Sequence, residues 1–187
     1  MEIVVLGYAG ESGSRRIFTC EPFREKLLSR YPERFFRCLS EPIAGEDSST
    51  TAFLKEIGIP EDDYCEADDG GVFAALWRVL KKRHMGASFS QRAIPIRQQT
   101  VEICEYFDLD PFRLQAEDCF ICLLEESAGF CGRAEKAGLS AAVIGYTEAG
   151  CAVKRIDGEE TAYLRRPEED ALLRLLREKG GAGGYDR

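Results

Sequence analysis

Several things are scarce in this sequence. It has one histidine, His84, so a histidine-built metal site or a Ser-His-Asp triad has little to draw on. No apolar run approaches the roughly 18 to 20 residues that a spanning helix needs. The opening Met1-Glu2-Ile3-Val4-Val5 carries neither a basic segment nor a long apolar core, so no secretion signal is read there and a cytoplasmic location is expected. Basic residues are in deficit: 25 Lys and Arg face 33 Asp and Glu, a net charge of −8. Binding nucleic acid or an anionic membrane needs clustered Lys and Arg, so neither is expected as a partner. A single phosphate pocket stays compatible with that charge, because pockets are local. No Walker loop, HExxH or GxSxG is present, and no internal repeat.

What is there reads as a globular chain. Its 187 residues are 44% hydrophobic and 31% charged. One domain over residues 1–179 is expected, with 180–187 a flexible glycine-rich tail. The eight cysteines are scattered, which suits a reduced set of mostly buried thiols. Cys119 and Cys122 have the spacing of a metal or redox pair, but they lie in the apolar run Cys119-Phe120-Ile121-Cys122-Leu123-Leu124. Along a strand, residues three apart face opposite ways, so the two sulfurs should not meet.

Strands are expected at Ile3–Tyr8, Tyr64–Ala67, Ala87–Ala93, Cys119–Glu125, Ala141–Tyr146, Ala152–Ile156 and Thr161–Leu164, the last two joined by an Asp157-Gly158 hairpin. Gly10, Ser12, Gly13 and Ser14 read as a turn. Helices are expected at Pro22–Arg30, Pro32–Ser40, Ser49–Ile57, Val72–Arg83, Pro95–Phe107, Ala128–Ala137 and Glu168–Lys179, with a polar loop from Pro42 to Ser49. The clearest helix follows Gly70-Gly71, with Val72, Ala75, Leu76, Val79 and Leu80 on one face. Alternating strands and helices with a late hairpin predict an α/β (α+β) fold: a mixed β-sheet with helices packed on it.

Three segments carry a resemblance: Asp69-Gly70-Gly71-Val72-Phe73-Ala74-Ala75-Leu76-Trp77, Ile94-Pro95-Ile96-Arg97-Gln98-Gln99-Thr100-Val101-Glu102-Ile103-Cys104, and Phe107-Asp108-Leu109-Asp110-Pro111-Phe112-Arg113-Leu114. Together they resemble the C-terminal domain of the AIR synthase and HypE superfamily, over about residues 2 to 176. The resemblance implies that fold, and a chain that starts where the second domain of those proteins starts. In that family a two-domain chain binds ATP and activates an oxygen atom by phosphorylation. The N-terminal domain supplies most nucleotide and magnesium ligands. ATP and Mg are therefore expected only if a partner supplies that domain. A homodimer or a separate ATP-binding protein is the partner implied.

The departures from the family pattern are acidic. Glu66-Ala67-Asp68-Asp69-Gly70-Gly71 keeps the glycine pair, and free amides at a helix start favour anions. Asp62, Asp63, Glu66, Asp68 and Asp69 are expected to crowd that end, repel phosphate and satisfy the helix themselves. Ala116-Glu117-Asp118-Cys119 has an acid where the family tends to have glycine. The reactive C-terminal cysteine of HypE has no counterpart after Cys151. The candidate ligand-binding residues are Gly70, Gly71, Asp69, Arg97 and Arg113; no catalytic or metal-binding residue is assigned. Each has a plainer alternative: close packing for the glycines, a solvated acidic loop for Asp69, ion pairs for the arginines. A non-catalytic binding, regulatory or accessory domain is the expected function, and a separately encoded half of an ATP-dependent phosphoryl-transfer enzyme the alternative.

Overall fold

A computed structural model describes residues 1–40, 49–167 and 169–179. The expected loop after Pro42, the first residue of the expected last helix and the glycine-rich tail lie outside the described residues. The strands are β1 (Glu2–Leu6), β2 (Tyr64–Ala67), β3 (Gly86–Phe89), β4 (Ala116–Leu124), β5 (Ala141–Glu148), β6 (Val153–Asp157) and β7 (Glu160–Tyr163). They form a seven-stranded sheet in the order β2-β4-β1-β5-β3-β6-β7. The β3–β6 pair is parallel and the others antiparallel, which is the mixed sheet the sequence predicts. The helices are α1 (Glu11–Thr19), α2 (Glu21–Arg30), α3 (Arg37–Ser40), α4 (Ser49–Ile57), α5 (Gly71–Lys82), α6 (Gln98–Phe107), α7 (Ala128–Lys136) and α8 (Ala171–Lys179).

Three apolar clusters hold these elements. On one face of the sheet, Ile3 and Val5 of β1 and Cys119, Ile121 and Leu123 of β4 pack with Val72, Leu76, Val79 and Leu80 of α5. The opposite face of the same strands, Val4, Leu6, Phe120 and Cys122, packs against Phe53 and Leu54 of α4 and Phe130 of α7. Cys119 and Cys122 thus belong to clusters on opposite faces, as strand alternation requires. The third cluster joins helices to one another: Ile17, Phe23, Leu27, Ile103, Phe107, Leu172 and Leu175. Burying apolar side chains of this size stabilises by roughly 1.5 to 3 kcal/mol each before ordering entropy is subtracted.

One expected element is wrong. Ser12, Gly13 and Ser14 are not a turn but the first half of α1, and all three are buried. Gly13 fits there because a Cβ would stand 2.5 Å from Leu114 Cγ, and Ser12 Oγ donates to the Gln115 carbonyl at 3.2 Å. Tertiary contacts override the weak helix propensity of Gly and Ser.

Candidate functional site

The start of α5 is where the sequence places a possible ligand, and the structure fills it with protein. Gly70 and Gly71 both have left-handed φ, +78° and +66°. A Cβ on Gly71 would meet the Leu114 carbonyl oxygen at 2.6 Å and that of Phe112 at 2.7 Å. The glycine is therefore required by close approach of two backbones. Three amides at this end, those of Gly70, Gly71 and Phe73, have protein acceptors. Phe73 N–H donates to the Phe112 carbonyl at 3.1 Å, and Gly71 N–H to the Asp68 carbonyl at 3.5 Å.

Gly70 N–H donates to Asp170 Oδ2 at 2.9 Å. Asp170 is 1% exposed and stands just before α8, where its Oδ1 accepts from Leu172 N–H at 2.8 Å. One carboxylate thus bridges the starts of two helices, a position that suits negative charge. Burial pushes its carboxyl above the ordinary 3.8, against the amides of Leu172 and Gly70, which pull it down.

Of the acids expected at this end, Asp69 stays there, near enough to Asp170 to help raise its carboxyl, and the others have partners elsewhere. The chain reverses at Gly70, so the stretch leading into β2 lies beside the far end of α5. Asp62 pairs with Lys82 at 3.9 Å and Asp63 with Arg83 at 3.1 Å. Asp68 pairs with Arg78, and Glu66 Oε1 accepts from Asp118 N–H at 3.1 Å. Asp69 is exposed. Asp118 itself has φ +67°, the conformation a glycine would take freely, at the irregular register of β2 on β4.

Beside the glycine junction a groove of about 320 Å³ opens between α5 and the β6–β7 hairpin, lined by Phe73, Asp110, Arg113, Arg155, Tyr163, Leu164 and Arg165, with Ala162 between. Phe73 is held by a stacked contact with Phe112, ring centroids 5.4 Å apart. Arg113 reaches Asp110 at 3.4 Å. Arg155 pairs with Asp157 at 3.5 Å and donates to Gln91 Oε1 at 2.8 Å. Arg155 faces Ala162 across the hairpin.

Arg97 stands apart from that groove. It pairs with Glu11 at 3.1 Å and its guanidinium lies 4.0 Å from the centre of the Tyr8 ring. Burial lowers its hold on the proton, while the hydrogen bond and charge of Glu11, with Tyr8 and Cys38, raise it, and the net shift is upward. Of the sequence candidates, Gly71 and Arg113 come together, since a Cβ on Gly71 would lie 3.0 Å from the Arg113 carbonyl carbon. Sequence reasoning missed Asp170, Arg155 and Arg165. An acid directly before an amphipathic helix is a capping signal that Asp170 satisfies. Alternation through the hairpin puts Arg155 on the face of Val153, which is core. Among the described residues, no group of three or more His, Cys, Asp or Glu is placed to hold a metal ion. No helix among them is long and apolar enough to cross a membrane.

No family model matches the chain, and no curated protein matches it. Solved structures do. HypE of E. coli, a hydrogenase maturation protein, superposes with a TM-score of 0.67 at 21% identity, over 93% of this chain and 52% of that one. A HypE structure in complex with ATP gives 0.59 at 18% identity, over 92% of this chain and 52% of that one. Thiamine monophosphate kinase from Aquifex aeolicus gives 0.53 at 20% identity, over 85% and 50%. The fold is therefore that of an AIR synthase-like α/β domain, as the sequence resemblance implies. The chain spans about half the length of these structures.

Proposed function

We propose that this chain acts as a non-catalytic binding or accessory domain of the AIR synthase-like fold. The observation that carries the reading is Asp170. The helix start that would receive a phosphate already holds a buried carboxylate of the same chain, hydrogen-bonded to Gly70 and Leu172. A phosphate there would have to displace it and then lie against whatever charge it kept. Gly71, in turn, is explained by backbone packing without a ligand.

The second reading is half of an ATP-dependent phosphoryl-transfer enzyme, completed by a separate protein. It is favoured by the fold shared with a HypE crystallised with ATP, of which this chain spans 52%. Thermal unfolding of the chain with ATP and Mg²⁺ separates the two. A ligand at 100 times its dissociation constant adds about 2.7 kcal/mol of stability. The non-catalytic reading expects no Mg²⁺-dependent stabilisation at millimolar ATP. A Mg²⁺-dependent upward shift overturns it.

A further inference from the structure

The sheet ends on β2 at one side and on β7 at the other, and the two edges are finished differently. At β2, Arg78 of α5 donates to the Glu66 carbonyl at 2.9 Å, so a side chain of the same chain already lies on that strand. β7 has no such cover. Leu164 N–H donates to the Val153 carbonyl at 2.8 Å, and the register continues with Arg155 opposite Ala162 and Asp157 opposite Glu160. In an antiparallel ladder every second residue turns its N–H and C=O toward the partner strand. Glu160, Ala162 and Leu164 therefore face β6, and Thr161 and Tyr163 turn their backbone groups away from the sheet. Among the described residues, neither the N–H nor the C=O of these two has a partner. Both residues are exposed.

An unpaired edge is a template for another strand. The segment Glu159-Glu160-Thr161-Ala162-Tyr163-Leu164-Arg165-Arg166 is acidic at one end and basic at the other. That pattern is complementary to itself when reversed. We propose that this chain self-associates through β7, as an antiparallel β7–β7 pair with Ala162 on the two-fold axis. Thr161 then lies opposite the partner's Tyr163, and each exchanges its outward N–H and C=O with the other. Glu159 lies opposite the partner's Arg165. A parallel pair would set like charges side by side, so charge selects the antiparallel one. Glu159 and Arg165 are exposed, and neither has an ion-pair partner among the described residues. Tyr163, 65% exposed, gains the partner's Thr161 opposite and the partner's Tyr163 on the diagonal, within reach of an aromatic ring. The contact is isologous, so it closes at two copies. A four-residue edge buries less surface than a permanent dimer does, so association is weak and depends on concentration. The pairing needs neither reading of the glycine junction to hold.

Sedimentation equilibrium of the full chain at low salt, from micromolar to millimolar concentration, should show a reversible monomer–dimer equilibrium. Added salt should weaken it, because the Glu159–Arg165 pairs are exposed. Arg165→Glu should weaken the dimer about tenfold, since the two-fold axis repeats the lost pair. Glu159→Arg should do the same. The double exchange, Glu159→Arg with Arg165→Glu, should restore the dimer, which requires these two residues to face each other across the axis. Thr161→Pro removes an outward N–H without touching a β6–β7 bond. It should abolish the dimer and leave the melting temperature of the dilute chain nearly unchanged. Ala162→Cys should link two chains by a disulfide faster than Glu160→Cys, because only a residue on the axis meets its own copy. A chain that stays monomeric at millimolar concentration overturns the inference and leaves the edge to a strand of another protein. A dimer that survives Thr161→Pro, or that the charge exchange fails to restore, overturns it as well.

Discussion

The two halves of the sheet are built differently. β2, β4 and β1 are sandwiched, with α5 on one face and α4 and α7 on the other, and β4 contributes residues to both clusters. Among the described residues, β3, β6 and β7 have packed core on one face only. On the other, pairing aligns Tyr146, Ser88, Lys154 and Tyr163 in one row across four strands. Tyr146 is 59% exposed, and Ile156, two residues beyond Lys154, is 39% exposed. The sandwiched half can tolerate little change, because every added atom meets another. The open half has room, and the groove beside Phe73 lies by its outermost strands, β6 and β7.

Two glycines sharpen that contrast most. Gly71 and Gly158 have nearly the same backbone, φ +66° and +72°. At Gly71 a Cβ meets backbone oxygens at 2.6 and 2.7 Å; at Gly158 it meets nothing within 4 Å. Both Gly→Ala changes incur the conformational cost of about 1 to 2 kcal/mol for a left-handed residue. Gly71→Ala should lose about 2 kcal/mol more, because neither the 112–114 backbone nor α5 can yield cheaply. Urea denaturation of the two variants measures the difference. Equal losses would mean that the junction is not close-packed.

Asp170 comes next. Asp170→Ala leaves the Gly70 and Leu172 amides without their acceptor, which should remove about 2 kcal/mol. The pH dependence has a definite sign. Burial raises this carboxyl above 3.8 in the folded chain, so folding favours its protonated form. As pH rises from 3.8 through that raised value, the unfolded chain gives up its proton first, and the native state loses ground. The stability gap between the wild type and Asp170→Asn should therefore narrow as pH rises through that window. A gap that widens would mean that the amides outweigh burial.

These contacts also mark where the sequence stops being informative. Strand and helix identity was legible where one face is continuous: α5 and β4 follow their apolar pattern, and Gly58 and Gly138 close α4 and α7 with left-handed φ. α1 was not, because Ser12, Gly13 and Ser14 owe their helical state to Leu114 and Gln115, a hundred residues away. The strand expected through Ala93 ends at Phe89, and a 3₁₀ turn at Gln91–Ala93 breaks the alternation. At the site, Gly70-Gly71 and Arg113 were found from motif segments, but their roles were not. Whether an amide is free depends on what the rest of the chain brings to it, and the separation of Gly70 from Asp170 leaves no spacing to read. Asp62 and Asp63 were misplaced for the same reason: nearness in sequence to the start of α5 became nearness in space to its end.

The mildest probe of the two halves leaves stability alone and asks only what reaches a thiol. Cys104, Cys119 and Cys122 are buried, and burial pushes all three thiols up, Cys104 and Cys122 to about 12. Cys151 is exposed, in the turn that leads into β6. The reacting species is the thiolate, so both access and ionisation protect the first three. With a neutral disulfide reagent at pH 8, Cys151 should react in the fast phase. The three buried thiols should react only as fast as their surroundings open, and mass spectrometry of trapped samples assigns the order. Cys119 and Cys122 sit on opposite faces of β4, so they also report separately on the two layers of the sandwiched half. If Cys122 is labelled well before Cys119, the α4–α7 layer opens without the α5 layer. Equal rates would mean that both layers of that half open together.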